Sequence, residues 1–157
     1  MTIAVSLYVD YRSPFSYLVT EDARRLQREN DISLRWLPYR IDLEGAYGGR
    51  VEQRTERDWR KVRYLYQDAR RIANRRGLTV LGPQKIFDPG LAHIGMLLAM
   101  DAGKEAFARY HDSVCDRFWR RELDIEDASL IRAALADAGI DASAFDESGR
   151  AFAYSER

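Results

Sequence analysis

Cysteine is almost missing from this chain: its 157 residues include one, Cys115. A single thiol forms no internal disulfide and excludes dithiol redox chemistry within one chain. Histidine is nearly as scarce, with only His93 and His111, and one cysteine plus two histidines falls short of the usual ligand set of a structural zinc site. Net charge is absent as well. Lys+Arg and Asp+Glu stand at 25 each, which argues against a nucleic-acid partner, because that affinity rests on a basic footprint over phosphates. Long apolar runs are lacking too. The longest, 91–100, is interrupted by His93 and is far shorter than the ~20 residues that span a bilayer. The opening MTIAVSLYVD places Asp10 where a signal peptide would carry its apolar segment, with no basic region before it. These absences lead to the expectation of a soluble, cytoplasmic protein without a metal centre, a membrane or a nucleic acid.

What is present is enough for a packed core. Apolar residues make up 46% of the chain, and a chain of this length buries about 70% of its unfolded surface. Ile3, Val5, Leu7 and Val9 alternate with Ala4, Ser6 and Tyr8, and both faces are mostly apolar, the pattern of a central strand covered on both sides. Ser13-Pro14 then signals a helix start, serine as cap and proline at the first helical position, with Phe15, Leu18, Val19 and Leu26 at helical spacing to about residue 29. Ile32, Leu34 and Trp36 alternate again, so residues 3–38 read as one βαβ unit. Residues 40–51 hold Gly45, Gly48 and Gly49 and read as loop.

From there the sequence reads as helices only. Residues 55–76 form a charged amphipathic helix with Trp59, Val62, Leu65, Tyr66, Ala69, Ile72 and Ala73 inward. Asp88-Pro89 opens a helix whose residues 91–100 are apolar nearly all round, which makes it the buried central helix. A helix at about 104–121 follows, then one capped by Asp124 and ending at Gly139, and a last one capped by Asp141 over about 142–154. Two strands do not make a large sheet. Either the protein is mostly helical with a small sheet, or further strands belong beyond residue 157.

Three stretches carry a family resemblance. Tyr8-Val-Asp-Tyr-Arg-Ser-Pro-Phe-Ser-Tyr-Leu resembles the opening of 2-hydroxychromene-2-carboxylate isomerases and kappa-class glutathione transferases. These are DsbA-like proteins with a helical domain inserted into a thioredoxin fold. Ser13-Pro14-Phe15-Ser16 stands where disulfide oxidoreductases carry C-x-x-C. Trp59-Arg-Lys-Val-Arg-Tyr64 with Gln67-Asp-Ala-Arg70 resembles the helix that opens the inserted domain, and Asp116-Arg-Phe-Trp119 lies near the family's helical F-W pair. The implied fold is α/β, thioredoxin-like, with a βαβ part over 1–40 and a helical insertion over 41–157. The family's C-terminal ββα part, with its cis-proline turn, is then expected to be lacking.

The resemblance implies a glutathione-dependent enzyme. Ser13, at a helix N-terminus whose free N–H groups and macrodipole favour an anion, is the implied catalytic residue that stabilises the glutathione thiolate. Ser16 and Lys61 are implied cofactor contacts. Arg12 and Arg40, beside the two strand ends, together with Tyr11 and Asp88, are candidate substrate contacts, and Tyr8 and Tyr17 are further candidates for an aromatic lining. The implied reaction is isomerisation of a conjugated aromatic keto acid by reversible thiolate addition, in a homodimer. Kappa-like glutathione transfer or peroxidase activity is the alternative, and a non-catalytic remnant of the fold is another. The family's polar loop asparagine has no counterpart in Gly45-Ala-Tyr-Gly-Gly-Arg50, and Asp88-Pro89 stands where a second asparagine is usual. On residues alone, His93 and Cys115 read as packed core side chains, and the arginine-rich stretch 54–76, interspersed with acids, as a solvated face.

Overall fold

A computed structural model of the chain describes residues 2–47 and 51–145. Strand β1 (Ile3–Val9) pairs in parallel with β2 (Ile32–Pro38), Ile3 opposite Ile32 through Val9 opposite Pro38. Helix α1 (Pro14–Glu29) makes the crossover between them, as a parallel pair requires. The expected βαβ unit is therefore present, but its coverage differs. Among the described residues the sheet has these two strands only, and Ile3 and Val5 stay 58% and 37% exposed. The alternation of β1 does not translate into a strand covered on both sides, because no element of the described chain lies against that end.

The expected loop over 40–51 contains one helical turn and more, α2 (Leu43–Tyr47), and a 3-10 turn at Val51–Gln53. Gly48, Gly49 and Arg50 lie outside the described residues. Helix α3 (Glu56–Arg75) follows, held at its start by a capping box in which Thr55 and Asp58 satisfy each other's backbone amides. Helices α4 (Gly90–Asp101), α5 (Lys104–Trp119) and α6 (Ala128–Asp137) form the rest.

Two helix starts shift from their expected residues. Pro89 sits at the cap of α4 and not at its first helical position, and Asp88 takes the Gly90 N–H at 2.8 Å. Asp127 caps α6 through Ser129 and Leu130, while the expected Asp124 accepts from Glu126 and shapes the turn before it. Both acids have the side chain for the task, and the turn geometry decides which is used. Asp141 does cap a helical turn, Ala142–Ala144; the remainder of the expected last helix lies outside the described residues.

The core is helical. In α4, Ala92, Ile94, Gly95, Met96, Leu98 and Ala99 are buried, so the segment that is apolar all round is the central helix. Its approach to α5 depends on Gly95, where a Cβ would run into the Tyr110 hydroxyl and ring. That hydroxyl donates to the Ala92 carbonyl at 2.9 Å. Beneath α1, Trp36, Phe107 and His111 form one aromatic cluster with ring centroids 5.3–5.4 Å apart. No helix among the described residues is long and apolar enough to cross a membrane.

Candidate functional site

The site begins where β1 ends. After Val9 the chain turns through Asp10, Tyr11 and Arg12, with the Ser13 N–H donating to the Asp10 carbonyl at 2.9 Å. The Asp10 carboxylate is fully buried and receives the Arg12 guanidinium at 2.6 Å. It also accepts from the Arg12 and Ile41 backbone amides at 2.9 and 2.8 Å. Arg12 reaches on to the carbonyls of Ile41 and Phe87 at 3.0 and 3.5 Å. One buried ion pair thus ties the end of β1, the start of α1, the segment after β2 and the segment before α4. Such a pair costs several kcal/mol to break from one side, because it leaves a charge without a partner.

Ser13 caps α1. Its side-chain oxygen accepts the Ser16 N–H at 3.3 Å, which leaves the hydroxyl hydrogen free to donate. Pro14 has no N–H, and the first amide of α1 that carries one, Phe15, has no acceptor among the described residues. The end of a 16-residue helix therefore presents one O–H and one N–H donor, together with the positive end of its macrodipole. Both residues border a cavity of about 380 Å³, within the range that holds small organic ligands.

Helix α3 supplies the opposite wall through Trp59, Val62, Leu65 and Tyr66. These are four of the seven residues in the stripe that the sequence assigns to the core. Only Ala69 and Ala73, further along, are buried in protein. An apolar face packed on helices and one packed on a ligand look alike in sequence. Phe87 and Phe118, in an edge-on pair at 5.3 Å, contribute aromatic lining from the segment before α4 and from α5. The Tyr66 hydroxyl, pushed up to about 12 by burial, stays a neutral donor.

The electrostatics are one-sided. Four cations line the cavity, Arg12, Arg54, Lys85 and Arg121, and among the described residues no carboxylate does. Arg12 is matched by Asp10, Lys85 is paired with Glu126, and the Arg121 Nε donates to the Gly82 carbonyl at 2.8 Å. A second cleft of about 720 Å³ shares Arg12, Ile41, Leu43, Val51 and the 84–86 segment with the first, and adds Arg40, Asp42, Glu44 and Glu52.

The residues expected at the site divide accordingly. Ser13 and Arg12 line the cavity. Arg40 borders the second cleft and forms an exposed ion pair with Asp88 at 2.8 Å. Ser16 is half-buried beside the site, its hydroxyl accepting the Asp10 N–H at 3.3 Å. Lys61 is exposed on α3 and lines neither space. Tyr11 is 1% exposed and belongs to the core; Tyr17 donates to Asp116 at 3.1 Å and Tyr8 lies on the open sheet. The sequence reading missed Arg54, Lys85, Phe87 and Arg121. Of these, Arg54 has a visible signal, its place directly before the Thr55-x-x-Asp58 capping box.

Behind the site runs a buried relay. Thr20 donates to the Ser16 carbonyl at 3.1 Å, so its oxygen accepts from His111 Nε2 at 3.0 Å. His111 Nδ1 is then left to accept from the Tyr11 hydroxyl at 3.3 Å. Burial pushes His111 down to about 3, so the ring is neutral. His93, whose ring lies 5.7 Å from that of Tyr11, is pushed down to about 4 by burial against the opposing pull of Asp10. Cys115 is fully buried beside His111, and burial raises its thiol well above the ordinary range.

Comparison with known proteins agrees with this architecture. No curated protein sequence matches the chain. Among solved structures, that of a 2-hydroxychromene-2-carboxylate isomerase superposes with a TM-score of 0.72 at 27% sequence identity, over 98% of this chain and 76% of that one. The model of the DSBA-like thioredoxin domain matches residues 4–157. The parallel βαβ start and the helical body fit that fold, and the chain belongs to the DSBA-like thioredoxin domain family.

Proposed function

We propose that the protein is a glutathione-dependent isomerase that acts on a conjugated aromatic keto acid, with Ser13 at its reacting centre. One observation carries the reading. The unspent donors of Ser13 and Phe15 open into a cavity walled by aromatic rings and cations, with no acid among its described lining.

Those donors suit a thiolate. A sulfur anion at the head of α1 would accept the Ser13 O–H and the Phe15 N–H, and each pKa unit by which it is lowered corresponds to about 1.4 kcal/mol. When bound, glutathione supplies a nucleophilic sulfur that adds reversibly to a conjugated double bond and leaves again. The chain's own residues hold the charge in both directions. Ser13 serves without being consumed, since a hydroxyl donates a hydrogen bond and resists oxidation. Trp59, Phe87 and Phe118 offer faces and edges to a flat conjugated system, and the cationic lining favours its carboxylate. The resemblance to an isomerase of known structure supports the same reading.

Calorimetry of glutathione binding to the wild type and to Ser13→Ala tests the first half. Saturable binding that weakens in the variant is expected, beside a modest stability loss of ~0.5–2 kcal/mol from the missing cap. The second half is tested by incubating conjugated aromatic keto acids with the protein and glutathione. Isomerisation without net loss of glutathione is expected, and no turnover of any such acid sinks the reading.

A further inference from the structure

We propose that Arg54 is the specificity-determining residue of the cavity, the one that fixes a flat aromatic acid by its carboxylate. Of the four lining cations, Arg54 is the one whose guanidinium makes no ion pair or hydrogen bond among the described residues. Its Nε is buried and unpartnered. A buried donor without an acceptor costs free energy, so the arrangement is incomplete until an anion arrives.

The surroundings explain why no protein acid supplies it. Arg54 stands one residue before the cap of the 20-residue helix α3, next to the positive end of that helix's dipole. The two acids of the first turn are committed elsewhere. Glu56 pairs with Arg63, and Asp58 accepts from the Thr55 hydroxyl and backbone amide. Glu52, two residues before Arg54, borders the second cleft and makes no ion pair with it, so among the described residues the Arg54 charge is left unpaired at this corner of the cavity.

Its orientation is fixed as well. The Arg54 guanidinium carbon lies 5.3 Å from the centre of the Trp59 ring, a stacking that holds the planar group while leaving its edge donors free. A ligand with a flat ring and an in-plane carboxylate matches this pair, the acid on the fork of Arg54 and the ring against the aromatic lining. A planar fork binds a carboxylate in a bidentate way that a lysine ammonium does not.

This inference rests on the reading that the cavity takes a conjugated acid, yet it is tested without turnover. The probes are trans-cinnamate and its neutral amide, nearly identical in shape, titrated by calorimetry into the wild type, Arg54→Met, Arg54→Lys and Lys85→Met. The wild type is expected to prefer the acid by about ten- to hundredfold, as for a hydrogen-bonded charge. Arg54→Met is expected to bring the two affinities within about twofold, and Arg54→Lys to give an intermediate ratio. Should Arg54→Met not fold, the lysine variant alone decides, since a ratio unchanged from wild type overturns the proposal. It is equally overturned if Arg54→Met keeps the preference, if Lys85→Met abolishes it as completely, or if the wild type binds neither probe. Loss of isomerase turnover with the preference intact in the wild type and lost in Arg54→Met would sink the catalytic reading and leave this one standing.

Discussion

The sheet and the helical body are written in equally apolar sequence and meet opposite fates. In β1, Ile3 and Val5 are 58% and 37% exposed, whereas Ile131, Ala134 and Leu135 of α6 have no exposed surface. The later helices bury one another, α4 packing on both α5 and α6 and α5 on α6. The parallel pair has its crossover helix α1 against β2, and what covers the rest of its surface must come from elsewhere in the chain or from another molecule. Apolar patterning therefore states what an element is able to bury and not what buries it. The cavity makes the same point on one helix, since the far end of α3 packs into protein while Trp59, Val62 and Leu65 face open space.

The joint between the two regions should be the most sensitive place in the molecule. Arg12→Met leaves the buried Asp10 carboxylate without its cation, and a loss of about 3–5 kcal/mol in urea unfolding is expected. A loss below ~1 kcal/mol would mean that the ends of β1 and α1 are held by something other than that pair. The body and the sheet can then be compared directly. Ile131→Ala removes a side chain with no exposed surface and should cost about 2–5 kcal/mol. Ile3→Ala removes one already in water and should cost well under half as much. Equal costs for the two would show that β1 is covered in solution.

A more gradual effect, spread over several pH units, follows from acid. In the unfolded chain a histidine titrates near 6.5, whereas burial holds His93 near 4 and His111 near 3 in the fold. Between those values the unfolded state binds protons that the folded state refuses, so stability falls as the pH is lowered from about 6.5 and is fully present only above it. Each histidine contributes a slope of up to about 1.4 kcal/mol per pH unit. Glu126 and Asp127, lowered by Lys85 and by Ser129 respectively, add to the loss at more acidic pH. His111→Gln is expected to flatten the slope between pH 6 and 4, measured by urea midpoints, while His93→Gln flattens it over a narrower range. An unchanged slope in both variants would mean that these rings reach water.

Much of this was legible in the residues. The βαβ start, the Ser13 cap, the reach of α3 and the buried α4 follow from alternation, capping chemistry and the helical period. So did the burial of Cys115. The misplaced caps at Asp88 and Asp124 arose because each acid lies within a turn of the true start, and sequence does not fix which one closes the turn. The substrate side of the site was less readable. Its walls come from residues 12–15, 41–47, 51–66, 82–87 and 118–121, which no local period brings together. Tyr11 and Arg12 directly precede Ser13 in sequence, yet Arg12 is committed to Asp10 and Tyr11 to His111. Arg54 is marked in sequence only by its place before the Thr55-x-x-Asp58 capping box, at the head of a run of charges that reads as a solvated face.

The deep burial of Cys115 has a practical side. A thiol shielded from solvent and held protonated reacts slowly with disulfides and alkylating reagents, and the chain has no other. The native molecule is thus silent toward maleimides, and a cysteine introduced beside the cavity, at Lys61 or Gln84 for instance, would be its single addressable handle. Distances from such labels would report on ligand entry without mixed labelling.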